Sequence, residues 1–122
     1  MAEGLLPRAE ERALLHQFAR FLLDHFPEAE MIPQKSQIAF HLGGPFCAVT
    51  PPERWGKHAG LGLSIFLDEP LESPRMLHVV QPYPRRYTHH MLLLGPQALD
   101  EELLGWLERA VAFRRRIKRR KG

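Results

Sequence analysis

Between Pro7 and Phe26 the apolar residues Leu14, Phe18, Phe21, Leu22 and Phe26 follow one another at helical spacing, while Arg8, Glu10, Glu11, Arg12 and Arg20 fall mostly off that stripe. Pro7 suits a first turn, whose N–H groups need no partner, and Pro27 ends the helix. Residues 28–35 read as a connector. From Ser36 the period drops to two, with Ile38, Phe40 and Leu42 alternating against Gln37, Ala39 and His41. Gly43-Gly44-Pro45 reads as a tight turn and Phe46–Thr50 as the return strand, closed by Pro51-Pro52. Gly60–Asp68 sets Leu61, Leu63, Ile65 and Leu67 on one face and leaves Gly60, Gly62 and Ser64 nearly bare on the other. Arg75–Gln81 and Tyr87–Leu94 complete five strands, with connections short enough for antiparallel neighbours. Asp100 suits the cap of a second helix, with Leu103, Trp106, Leu107, Ala110 and Phe113 as its buried stripe. Gly105 inside that stripe predicts a close approach to the sheet. The expected fold is α+β in two layers: helix, five-stranded antiparallel sheet in meander order, helix, with both helices on one face.

Several of these segments resemble a known family. Lys35-Ser36-Gln37-Ile38-Ala39-Phe40, Phe46-Cys47-Ala48-Val49-Thr50-Pro51 and Leu61-Gly62-Leu63-Ser64-Ile65 with Leu71 and Arg75 resemble the opening of a small bacterial domain of unknown function, family 5655. Thr88-His89-His90-Met91-Leu92-Leu93, Leu99-Asp100-Glu101-Glu102-Leu103 and Trp106-Leu107-Glu108-Arg109-Ala110 resemble its closing strand and helix. The resemblance covers about residues 31–112. It implies an α+β fold and supplies no catalytic residues; relatives are sometimes labelled predicted transport proteins. The long helix before Met31 and the basic extension after Phe113 stand outside that pattern.

Charge changes the picture more than composition does. With 122 residues, 44% of them apolar, the chain has enough material for one core. Residues 1–113 carry ten basic and fourteen acidic side chains, while the last nine residues add seven Lys and Arg, giving the overall +3. The organisation is a single domain, 1–113, with a basic tail, 114–122, continuing the last helix. No apolar run is long enough to span a membrane, the start lacks the basic flank of a secretory signal, and the single Cys47 cannot close an internal disulfide. These features predict a cytoplasmic address.

In a meander, the connections 51–58 and 82–86 share one end of the sheet, and a closing helix of roughly 27 Å returns the chain to it. This predicts one electropositive pole. Arg54, Lys57, Arg85 and Arg86 would surround the tail residues Arg114, Arg115, Arg116, Lys118, Arg119, Arg120 and Lys121. Trp55, Tyr83 and Tyr87 would serve as stacking surfaces, and Glu28 and Glu30 would offset part of the charge. Trp55 and Tyr83 equally suit plugs at the end of the core, and a cationic helix terminus equally serves solubility.

Other chemistry finds little support. Of the seven histidines, His78, His58 and one of His89 or His90 are the set that would converge on a metal, yet His89 and His90 alternate between faces and no spacing matches a zinc site. Cys47 in a strand reads as a small buried hydrophobe, with His41 the partner a nucleophile would need. Ser64 lacks the sharp turn of a hydrolase nucleophile, and no phosphate loop appears. No catalytic residue, metal or cofactor is assigned. The leading expectation is a non-enzymatic binding module taking nucleic acid or another polyanion, an acidic protein included, through its basic pole. The rivals are a protein-interaction or homodimerisation module using open sheet edges, and a small-ligand or metal-dependent enzyme using the histidine- and glycine-lined face, where His78, Met76 or Val80 would wall a groove.

Overall fold

A computed structural model describes residues 5–57 and 59–121, with side chains through Ile117. Helix α1, Ala9–His25, buries Leu14, Leu15, Phe18 and Leu22. Its entry is a capping box in which the Arg8 N–H donates to Glu11 Oε1 at 3.2 Å. The strands are β1 (Glu30–Pro33), β2 (Ile38–His41), β3 (Pro45–Thr50), β4 (Leu61–Leu67), β5 (Met76–Tyr83) and β6 (Arg86–Leu93). Helix α2, Glu101–Lys121, closes the chain. The Leu103 N–H donates to Asp100 Oδ1 at 3.0 Å, so Asp100 caps the helix as its sequence position implies. No helix among the described residues is long and apolar enough to cross a membrane.

The sheet has six strands, not five. The added strand β1 lies in the stretch 28–35 that reads as a connector, and it pairs antiparallel with β2, Met31 opposite Phe40. Four largely exposed residues ending in proline carry no alternation strong enough to announce a strand. The order β1-β2-β3-β4-β6-β5 also replaces the expected meander. Strand β6 pairs antiparallel with both β4 and β5, so β5 runs parallel to β4 at the outer edge.

Burial explains the exchange. On β6, His89, Met91 and Leu93 are fully buried, whereas β5 is exposed from His78 to Tyr83. The strand with more to bury takes two neighbours, and the strand carrying Pro82, which has no N–H to donate, takes the edge. Residues 68–75 therefore lead back along the sheet, and the Leu71 N–H donates to His89 Nε2 at 2.9 Å on the way.

Both helices pack on one face. The core joins Leu14, Phe18 and Leu22 of α1 and Leu103, Leu107 and Ala110 of α2 to Phe40, Cys47, Val49, Leu63, Ile65 and Met91. Phe18 meets Phe40 edge-on at 5.4 Å. Gly105 makes no close approach: a methyl added there would meet nothing within 4 Å. At the start of α2, the Arg75 guanidinium donates to Asp100, Glu102 and the Ala98 carbonyl, and lies 5.2 Å from the Trp106 ring centre. Burial alone would pull the Arg75 pKa down, but its hydrogen bonds and charge pairing with Glu102 and Asp100 outweigh this and raise it.

Candidate functional site

The β5–β6 turn is two residues long, Pro84-Arg85, with Tyr83 and Arg86 as the facing pair. Arg85 sits at φ 62°, a left-handed conformation unusual for a residue with a side chain. Arg86 projects onto the face opposite the helices. Its guanidinium carbon lies 5.1 Å from the Phe66 ring centre and 6.0 Å from that of Tyr83, which is 63% exposed.

The C-terminal turns of α2 reach the same corner. Arg116 donates to Asp68 at 2.5 Å, just past the end of β4, and its guanidinium carbon lies 5.9 Å from the Phe113 ring centre. A cavity of about 290 Å³ opens between these elements, lined by Asp68, Glu69, Arg85, Phe113, Arg116 and Ile117. Arg114 packs over the β2–β3 turn, where a side chain at Gly44 would overlap its guanidinium. Burial pulls the Arg114 pKa below its ordinary value, and the positive charge of Arg86 adds in the same direction.

The predicted pole is therefore divided. Arg85 and Arg86 do meet the end of α2, with Tyr83 facing Arg86 across the turn and Tyr87 half-buried beside Leu67. Lys118, Arg119, Arg120 and Lys121 belong to the last helical turns, and their side chains lie outside the described residues. Arg54 and Lys57 lie at the opposite end of the sheet. Thr50, where β3 ends, pairs with Gly62 at the start of β4, whereas the Pro84-Arg85 turn adjoins the Leu67–Tyr87 end. Arg54 donates to the Ser36 carbonyl at 3.1 Å, and Lys57 lines a groove of about 500 Å³ with Leu77, Leu92 and Leu94. The cause is the strand exchange: with β5 parallel to β4, the β5–β6 turn falls at the end away from 51–58.

The acidic groups leave the Arg85 and Arg86 side of the corner uncancelled. Asp68 and Glu69 are paired with Arg116 and Arg109, the latter at 3.8 Å. Glu30, opposite His41 at the end of β2, stands one strand from the β2–β3 turn over which Arg114 packs, so it offsets charge there. From Arg85 and Arg86 it is five strand positions away, or about 24 Å by strand spacing, beyond the roughly 8 Å reach of a charge in physiological salt. Among the described residues, Arg85, Arg86, Arg114 and Arg115 have no acidic partner.

Around Gly62 and Ser64 the bare sheet face is filled rather than grooved. Trp55 leaves the short 3-10 turn after β3 and lies over Gly62, its ring 4.2 Å from that of His90 and 5.9 Å from that of His78. Met76 is in register with Met91, on the helix side, so it does not wall this face. The register also places Ser64 opposite His90, and Ser64 Oγ lies 2.8 Å from His90 Nδ1.

His90 is pulled down to about 4, first by burial and then by the neighbouring positive charges of His78, His89 and Arg54. A neutral imidazole of that basicity is a poor proton acceptor for a serine that is itself buried. His89 points to the helix side, as strand alternation requires. His58 lies outside the described residues, and no cluster of three metal-binding side chains occurs among those described. Cys47 is fully buried, and burial pushes its thiol pKa up, away from the reactive thiolate.

The sequence reading missed the rings of Phe66 and Phe113 and the pairing of Asp68. Phe66 breaks the apolar alternation of β4, the one local signal available, while Phe113 reads as core and lies half-buried at the cavity.

A family model described as Domain of unknown function (DUF5655) matches residues 7–114. The match includes α1, so the first helix belongs to the family pattern rather than departing from it; the residues after Arg114 lie beyond the match. No curated protein and no solved structure matches the chain.

Proposed function

The chain belongs to the family DUF5655, a domain of unknown function, and from the geometry of its cationic corner we propose that it is a non-enzymatic binding module that takes up polyanions by charge. One observation carries this reading: Arg85 and Arg86, on a turn with a left-handed residue, share an end with the basic turns of α2, and their acidic neighbours are paired or distant. A backbone held in a costly conformation at a cluster of unpaired cations is the kind of strain that functional sites retain. A cytoplasmic address goes with this reading, since Cys47 is buried and unpaired.

The test is a salt titration of the full chain against a labelled polyanion. Affinity that falls steeply between 50 and 200 mM salt is expected, the slope of log K against log salt decreasing by roughly 0.9 for each phosphate contact removed in Arg85→Ala and Arg86→Ala. Flat binding across that range would sink the proposal.

A second reading is self-association along β5. This edge spans eight residues without a charged side chain and exposes Val79 and Val80, whereas the opposite edge, β1, is short and carries Glu30 and Pro33. Sedimentation equilibrium tests it: a monomer mass independent of concentration removes it.

A further inference from the structure

Charge alone does not use the aromatic rings that share the cationic corner. On the face opposite the helices, the exposed Tyr83 ring and the half-buried Phe66 ring flank the Arg86 guanidinium. On the helix side of the same corner, the Phe113 ring and Ile117 line a cavity together with Arg85, Glu69 and the Arg116–Asp68 pair. Rings and cations thus neighbour one another on both faces of this corner. The two-residue turn makes the arrangement rigid: Pro84 has a restricted φ, Arg85 is left-handed, and Tyr83 and Arg86 are held as a facing pair.

Polyanions differ in what they offer such a surface. A duplex presents phosphates while its base faces stay stacked inside, and a polyphosphate or sulfated sugar chain has no flat aromatic groups. An unpaired nucleic-acid strand presents both phosphates and free base faces, and stacking on protein rings accepts any base. Resting on the polyanion reading above, we infer that the corner is built for a single strand of nucleic acid. One base stacks on Tyr83, the neighbouring phosphates meet Arg85 and Arg86, and the cavity beside Phe113, near the lower end of the ~300–1,000 Å³ range of ligand pockets, receives an adjacent base.

The experiment is fluorescence anisotropy on the full chain with three probes at one salt concentration: a single-stranded oligonucleotide, the duplex of the same sequence, and heparin. The single strand is expected to bind more tightly than the duplex. Tyr83→Ala, at a solvent-exposed position that leaves the core intact, should weaken single-strand binding about tenfold while heparin binding stays unchanged. Tyr83→Phe should restore it. Arg85→Ala should weaken all three probes. Equal binding of the three probes, with Tyr83→Ala silent, overturns the single-strand assignment and leaves the polyanion reading standing. Absence of binding to every probe overturns both.

Discussion

Replacing Gly62 with alanine puts a methyl group into space that the open sheet face has already filled. A Cβ at this position would stand 3.0 Å from Trp55 Nε1 and 3.1 Å from Trp55 Cδ1, and closer still to the Thr50 hydroxyl. Thr50 is buried and β-branched, so its oxygen escapes only by a change of rotamer, costing of order 0.5–1.5 kcal/mol. Trp55 must lift as well, loosening the 4.2 Å ring contact with His90, a contact class worth about 0.5–1.5 kcal/mol. The total sits within the roughly 1–3 kcal/mol of an overpacked site. Gly62 is in regular strand conformation, so alanine recovers ~0.5 kcal/mol or slightly more by restricting the unfolded chain. The net expectation is a loss of about 1–2 kcal/mol, or roughly 3–8 °C in Tm for a domain this size. Thermal unfolding followed by circular dichroism gives the stability. Trp55 emission, read in a Trp106→Phe background, reports whether the indole has moved. A Tm within one degree of the parent, with unchanged Trp55 emission, would refute the seating of Trp55 on Gly62.

Gly105→Ala should do the reverse, because the added methyl meets nothing within 4 Å; the gain in helix propensity, about 0.5–1 kcal/mol, should appear as a higher urea midpoint with an unchanged m-value. Arg85→Gly should relieve the left-handed backbone and raise stability by roughly 0.5–1 kcal/mol, while weakening polyanion binding, so that calorimetry and anisotropy move in opposite directions. Burial lowers the folded-state pKa of both His89 and His90, the latter to about 4, so the unfolded chain binds protons first as pH falls. Their contribution is fully present above the ordinary histidine value near 6.5 and is lost as pH drops below it, His90 continuing to lose down to about 4. Urea midpoints between pH 7.5 and 4 should fall accordingly, and His90→Phe should flatten that dependence; a midpoint that holds steady to pH 4.5 would contradict it.

The helices were legible because their signals are local. The stripe from Leu14 to Leu22 and the Asp100 cap each act within a few residues, and α1 and α2 form there. The alternation in 61–67 was equally readable, since it needs only the pleat of one strand. Strand β1 was not, because four exposed edge residues owe their conformation to pairing with β2 rather than to their own pattern. The close approach expected at Gly105 failed for a related reason: a glycine's role depends on which neighbour faces it, and none does. Trp55 illustrates the converse, an aromatic residue on a loop whose seat, Gly62, was visible as a gap in the pattern while the connection between the two was not.

By itself the sequence determined the α+β class, the two helices packed on one layer of strands, and a body of modest negative charge ending in seven cations. These follow from composition and short-range periodicity, which survive any rearrangement of the sheet. The tertiary structure decided which cations meet. Strands β5 and β6 compete for the position beside β4, and the greater apolar burial available to β6 settles the contest. Exchanging the two reverses the direction of β5 relative to β4, keeping Arg85 and Arg86 with the end of α2 and sending Arg54 and Lys57 to the far end of the sheet. A comparison of burial between two strands is a property of the assembled core, and no window of neighbouring residues contains it.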